Sequence, residues 1–170
     1  MQSWTCSQHF VGSRSTLLSF VECMLKSKYT ESWKNDVHNA PKCVYYRIFK
    51  TQHVLENYLC TLPEKYVNYI VNYRMCNNRL PVETGRWVGL ERNQRVCNLC
   101  NNGDIGDEFH YIFRCSYFSD KRKRYIGFLN LMNANTLDFA KIMCEQDTNI
   151  LTKLCIFVNI VMQHFRRPPG

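Results

Sequence analysis

Four residues in one short tract have the types and spacing of a metal site: Cys97, Cys100, His110 and Cys115, in the pattern C-x2-C-x9-H-x4-C. Three thiols and an imidazole are a complete tetrahedral set for structural zinc, so Zn2+ is the expected cofactor. The paired cysteines would come from one tight turn, and the His-x4-Cys pair would close the site from the next element. Gly103 and Gly106 supply turns between the two pairs, and few apolar residues lie between Cys100 and Phe109. A metal is therefore expected to hold Asn101–Asp107 in place. Three thiolates around Zn2+ leave a net charge of −1, which Arg95 and Arg114 are near enough in sequence to offset.

Catalytic zinc keeps one position open, whereas here four ligand candidates are present. The order is Glu108-x-His110, while zinc deaminases need His-x-Glu followed by Pro-Cys-x-x-Cys. Neither His-Glu-x-x-His, a P-loop, a Gly-x-Ser-x-Gly elbow nor a dinucleotide glycine fingerprint occurs. No enzyme is expected.

The elements that position this tract read as helices. Ser13 or Ser15 can cap a helix running to about Asn35, with Leu17, Val21 and Met24 at i, i+4, i+7 and Leu18 and Leu25 beside them. Val44–Phe49 is ambiguous. A short helix is expected over Glu56–Cys60. Another follows Pro63 and runs to about Met75 on a Tyr66, Ile70, Tyr73 stripe. Val82–Leu90 reads as extended, with Gly85 and Gly89 as bends. Asp107 is a plausible N-cap for a short helix carrying His110. Residues i and i+5 lie about 500° apart on a helix, so that helix must end by Cys115. Ser116 can cap a further helix with Phe118, Tyr125, Leu129 and Met132 as its stripe. Helices over Leu137–Cys144 and Ile150–Phe165 complete a mostly α fold: a small helical domain with a zinc-knuckle-like CCHC loop and room for a short β-hairpin at the paired cysteines. The expected organisation is a helical region over 1–75, a zinc-binding segment with its flanking helix over 76–132, and C-terminal helices over 133–170 packing on the same core.

The chain has 170 residues and a formal net charge of +8, which suits an anionic partner. Ten cysteines invite a disulfide reading, but Met1–Lys28 has no apolar signal core. The expectation is a reducing compartment, nucleus or cytoplasm. The longest apolar run, Leu154–Val158, is far below the roughly 20 residues a bilayer span needs, so no membrane partner is expected. Between Pro63 and Tyr125 eleven Lys and Arg face seven Asp and Glu. Arg79, Arg86, Arg92 and Arg95 lead into the site, and Lys121, Arg122, Lys123 and Arg124 follow it. These are the candidate phosphate contacts; Lys121–Arg124 reads equally as the solvated face of a helix. Trp87, Phe109 and Tyr111 are candidates for stacking on bases of a single strand.

Several blocks in order carry a resemblance. Arg79-Leu-Pro-Val-Glu-Thr-Gly-Arg-Trp87, Arg95-Val-Cys-Asn-Leu-Cys100, and Gly106-Asp-Glu-Phe-His-Tyr111 with Cys115 resemble the C-terminal zinc-binding segment of reverse transcriptases from non-LTR (LINE-like) retrotransposons. Tyr46–Lys50 and Leu55–Leu59 resemble the stretch before it, and the likeness covers roughly 43–130. It implies Cys97, Cys100, His110 and Cys115 as zinc ligands and RNA or single-stranded DNA as partner. No Asp-Asp pair of a polymerase turn occurs, so the implied object is a detached segment without polymerase or endonuclease. Two other readings stand beside it. One is a zinc-stabilised protein-interaction module, with the Ile150–Phe165 helix as its surface and the missing polymerase or another protein as partner. The other is a decaying element copy without present function.

Overall fold

From Ala40 onward, proline, glycine and asparagine punctuate the chain into short helices around one long helix, Thr148–Arg166. The computed structural model describes residues 13–42, 44–129 and 133–166. Cys43, Met132 and the residues beyond Arg166 lie outside them. The described residues fall into two compact units divided between Asn39 and Ala40.

The first unit is one helix, α1 (Arg14–Asn39). Ser13 Oγ accepts the Thr16 N–H at 3.3 Å, the expected cap. An i,i+4 pair, Glu22 with Lys26 at 2.6 Å, lies on its surface. None of its residues is buried; the Leu17, Leu18, Val21, Met24 and Leu25 stripe is exposed.

The second unit holds α2 (Tyr46–Phe49), α3 (Tyr58–Thr61), α4 (Glu64–Arg74), α5 (Pro81–Trp87), α6 (Glu108–Phe113), α7 (Ser119–Ile126), α8 (Thr136–Met143) and α9 (Thr148–Arg166). The mostly helical reading holds, and among the described residues the expected hairpin reduces to one antiparallel bridge, Val96 with Ile105. Helix α9 is the spine. Leu151, Leu154, Cys155, Phe157, Val158, Val161 and Met162 are buried on it. Each such side chain contributes roughly 2 kcal/mol before chain entropy is counted. Helices α4 and α7 pack against α9, and α2 packs against α8. The apolar face of α9 is therefore spent inside this unit and is not the free surface anticipated for a partner.

Two local expectations are corrected. Val82–Leu90 is not extended, because Pro81 at the first helical position and Glu83 in the first turn start α5. Gly85 is no bend: a Cβ there would meet Arg95 Cγ at 2.6 Å, so the missing side chain makes room for Arg95. Gly89, at φ +76, is the residue that releases the chain. Ser116 caps nothing; it opens a 3-10 turn, Ser116–Phe118, and α7 starts behind it. Phe118 and Ile126 are buried there, with Tyr125 and Leu129 packed against the core.

Candidate metal centre

Cys97 and Cys100 sit on the loop after a 3-10 turn, Arg92–Gln94. That loop is tied back on itself: Cys97 N donates to Asp104 O at 2.8 Å, and Gly106 N to Arg95 O at 2.9 Å. Gly103, at φ +71, allows the reversal. The loop is also sewn to α5, since Val82 N donates to Gly106 O at 3.1 Å. A Cβ on Gly106 would lie 2.8 Å from Pro81 Cγ and 3.0 Å from the Tyr111 hydroxyl. Neither a proline ring nor a buried tyrosine can swing away, so Gly106→Ala is expected to cost about 1–3 kcal/mol, read as a lowered urea midpoint. An unchanged midpoint would mean that the loop yields freely.

Asp107 caps α6 as anticipated, its Oδ1 accepting the His110 N–H at 3.0 Å. Its other oxygen accepts from the Tyr45 hydroxyl at 2.9 Å and from Arg92 Nη2 at 2.8 Å. One carboxylate thus fixes the start of α6, the loop before it and a residue far back in the chain. All six residues of α6 are buried, and Tyr73 holds its first turn by donating to Glu108 O at 2.7 Å. The Glu108 carboxyl takes the Asn78 carboxamide at 3.2 Å; burial pushes it up to about 7. The helix ends at Phe113, short of Cys115, whose N–H returns to His110 O at 2.9 Å.

These elements bring all four predicted ligands together. Cys97 Sγ, Cys100 Sγ, Cys115 Sγ and one ring nitrogen of His110 lie within 4.8 Å of one another. Cys97 and Cys115 sulfurs are 3.9 Å apart, and Cys100 Sγ is 3.4 Å from His110 Nε2. A disulfide needs about 2.05 Å, so these are separate thiols around a common point, and the cluster can hold a metal ion.

The surroundings favour the ligand forms unevenly. Burial pushes the Cys97 thiol up, yet the Tyr111 hydroxyl and the Leu99 and Cys100 N–H groups outweigh it and hold it below the usual thiol range. Tyr111 Oη lies 3.3 Å and Leu99 N 3.4 Å from that sulfur. Burial pushes Cys115 up to about 12; bringing that thiol to its thiolate is work left to a cation. Burial also holds His110 below the ordinary imidazole value, against the pull of Asp104. A neutral ring is the ligand form. Asp104 Oδ2 lies 3.3 Å from His110 Nδ1, within ion-pair reach though out of line for a hydrogen bond. Such a carboxylate behind a ligating histidine orients the ring.

The basic residues divide sharply. Arg122 lies across the end of α6, donating to Ile112 O at 2.6 Å, Cys115 O at 2.8 Å and Tyr111 O at 3.2 Å. It is the cation built into the site, in place of the anticipated Arg95 and Arg114. Arg95 is taken up by Leu90 O and Val82 O, and Arg114 lies over the Phe109 ring. Arg86 pairs with Glu83 at 2.9 Å. Arg79, Lys121, Lys123 and Arg124 stay exposed. Of the three stacking candidates, Phe109 and Tyr111 are buried and cannot stack on a base, whereas Trp87 is 57% exposed. Sequence reasoning missed Asp104, Tyr111 and Arg122 as supports of the site. Only Asp104, an acid inside the ligand span, carried a signal.

What the fold and site define is a helical unit with a closed Cys3His cluster. Comparison with family models, curated proteins and solved structures found no match. Among the described residues no helix is long and apolar enough to cross a membrane.

Proposed function

We propose that the chain is a non-catalytic zinc-binding module that holds RNA or single-stranded DNA, derived from the C-terminal segment of a non-LTR retrotransposon reverse transcriptase. The ligand geometry carries the zinc half. With bonds of about 2.3 Å to sulfur and 2.0–2.1 Å to nitrogen, a tetrahedral zinc site has S–S edges of ~3.8 Å and S–N edges of ~3.6 Å. The 3.9 Å and 3.4 Å separations here fit those edges. A soft, thiolate-rich donor set suits Zn2+ over Mg2+ or Ca2+. Four protein ligands leave no position for a water or substrate, which supports a structural role. Cys97, Cys100, His110 and Cys115 would hold the ion, with Tyr111, Leu99 and Asp104 behind them.

The nucleic-acid half is supported by the net charge of +8 and by the exposed Arg79, Lys121, Lys123 and Arg124. Arg86, Arg92, Arg95 and Arg122 are committed to carboxylates and carbonyls, so they shape the site more than they reach phosphates. Fluorescence anisotropy with a labelled single strand is expected to show affinity falling roughly 50-fold between 50 and 200 mM salt for four phosphate contacts. Replacing Lys121, Lys123 and Arg124 together by Gln flattens that slope by about 2. An affinity indifferent to salt sinks the nucleic-acid half and leaves the zinc half standing.

One observation favours a second reading, a zinc-stabilised protein-interaction module. Leu17, Leu18, Val21, Met24 and Leu25 are all exposed on α1, and a run of that length is unusual unless a partner covers it.

A further inference from the structure

The turn after α4, the helix α5 and the end of α9 enclose a hollow of about 220 Å³, lined by Asn77, Asn78, Arg79, Trp87, Met162 and Arg166. Its composition is selective. It offers one indole, one thioether, two guanidinium groups and two carboxamides, and no carboxylate. Asn78 is a fixed wall, its amide donating to Glu108 and its oxygen accepting the Leu80 N–H at 3.1 Å. Asn77 donates to Asn72 Oδ1 at 2.7 Å, a bond that does not use its own carbonyl oxygen. Cys76, at φ +53, turns the chain out of α4 and sets both asparagines there. Trp87 closes α5 with more than half its surface in water, and among the described residues no ring stacks on it. Arg79 and Arg166 are exposed on either side, and neither has an acidic partner among the described residues.

We propose that this hollow takes one unpaired nucleobase of a bound strand, stacked on Trp87, with Arg79 and Arg166 on the flanking phosphates. The inference rests on the nucleic-acid reading above and gives it a place. The volume lies below the roughly 300–1,000 Å³ of pockets for larger ligands, which suits a single planar ring. An indole is the widest stacking platform a side chain offers, and stacking tolerates any base because each has a π-face. Flanking arginines without carboxylates match the phosphate on each side of that base. An acidic peptide would satisfy the arginines and leave the indole idle.

The test uses the zinc-loaded full chain and two probes of equal length, a thymidine decamer and a phosphodiester strand without bases. Trp87→Ala is expected to weaken the decamer about tenfold, at the lower end of one stacked base, and to leave the abasic strand and the salt slope unchanged. Trp87→Phe keeps most of the affinity. Arg79→Gln with Arg166→Gln flattens the salt slope by about 1.4, two phosphates' worth on a single strand. With Trp4 and Trp33 changed to Phe, the remaining indole is quenched by the decamer and not by the abasic strand. Zinc content and circular dichroism establish that each variant is folded. If Trp87→Ala binds the decamer as tightly as the parent, or the parent binds both probes equally, the base pocket is overturned while phosphate binding stands. If the parent binds neither probe, the nucleic-acid reading falls and the pocket with it.

Discussion

Purified protein is expected to carry one zinc per chain, and Cys97→Ser or His110→Ala to lose it. Structural zinc contributes on the order of 10 kcal/mol to a peptide that folds around it. Here the ion is expected to carry the 95–118 region, while α4 and α9 keep a core of their own. Chelation should therefore abolish amide protection at Leu99 and Cys100 and lower the thermal midpoint, with much of the helical signal retained. The reason lies in the thiols. Burial raises Cys115 to about 12, so without a cation a protonated thiol stays packed against two other sulfurs. Co2+ in place of Zn2+ should give the visible spectrum of a tetrahedral thiolate site. Metal-free protein that keeps its Leu99 and Cys100 amides protected would falsify the metal's structural role.

Glu56→Gln is the second large effect. Arg74 Nη2 lies 2.6 Å from Glu56 Oε1, and its side chain is only 3% exposed, against 22% for Glu56. Lys50 approaches the same oxygen at 3.4 Å. The guanidinium is held between two rings, 4.6 Å from the Phe49 centroid and 4.9 Å from that of Tyr58. The carboxamide keeps an acceptor oxygen but not the charge, so the buried cation loses its counterion, a loss of about 3 kcal/mol, toward the low end because water reaches Glu56. Adding Arg74→Met should recover most of it, since a thioether chain fills the slot between the rings without needing a counterion. Urea unfolding of the two variants measures both steps. A loss below about 1 kcal/mol for Glu56→Gln would mean that the rings and a neutral acceptor hold the cation without a counterion.

How far the chain could be read in advance depended on whether the signal was local. Asp107 three residues before His110, and Cys115 five after it, dictated a capped helix that stops short, and α6 is that helix. The Tyr66, Ile70, Tyr73 stripe gave α4 in the same way. Helix α5 escaped because Gly85 has two readings: as a bend it breaks a helix, as a close contact it admits Arg95. Only the partner, ten residues on, decides between them. The arginines failed for the same reason. Arg92 finds Asp107 fifteen residues away, and Arg122 reaches back to three carbonyls, so a basic composition overstated how many cations face water. Tyr45 joins Asp107 across 62 residues, a contact no spacing rule reaches. The side that Phe109 and Tyr111 face was equally hidden, since a helix buried on every side has no polar stripe to orient it.

Tyr111 has a larger consequence than its single hydrogen bond suggests. Its hydroxyl meets the Cys97 sulfur, and its ring centroid lies 5.1 Å from that of Phe165, near the end of α9. If the thiolate is lost, a buried hydroxyl loses a charged acceptor, and the ring beneath Phe165 no longer has a fixed position. Occupancy at the cysteines and order at the chain's last helical turn then share one free energy, and such coupling acts equally in both directions. Whatever steadies the final turn of α9 also tightens the hold on the ion, and a chelator acting at the loop will be felt as fraying some fifty residues further along.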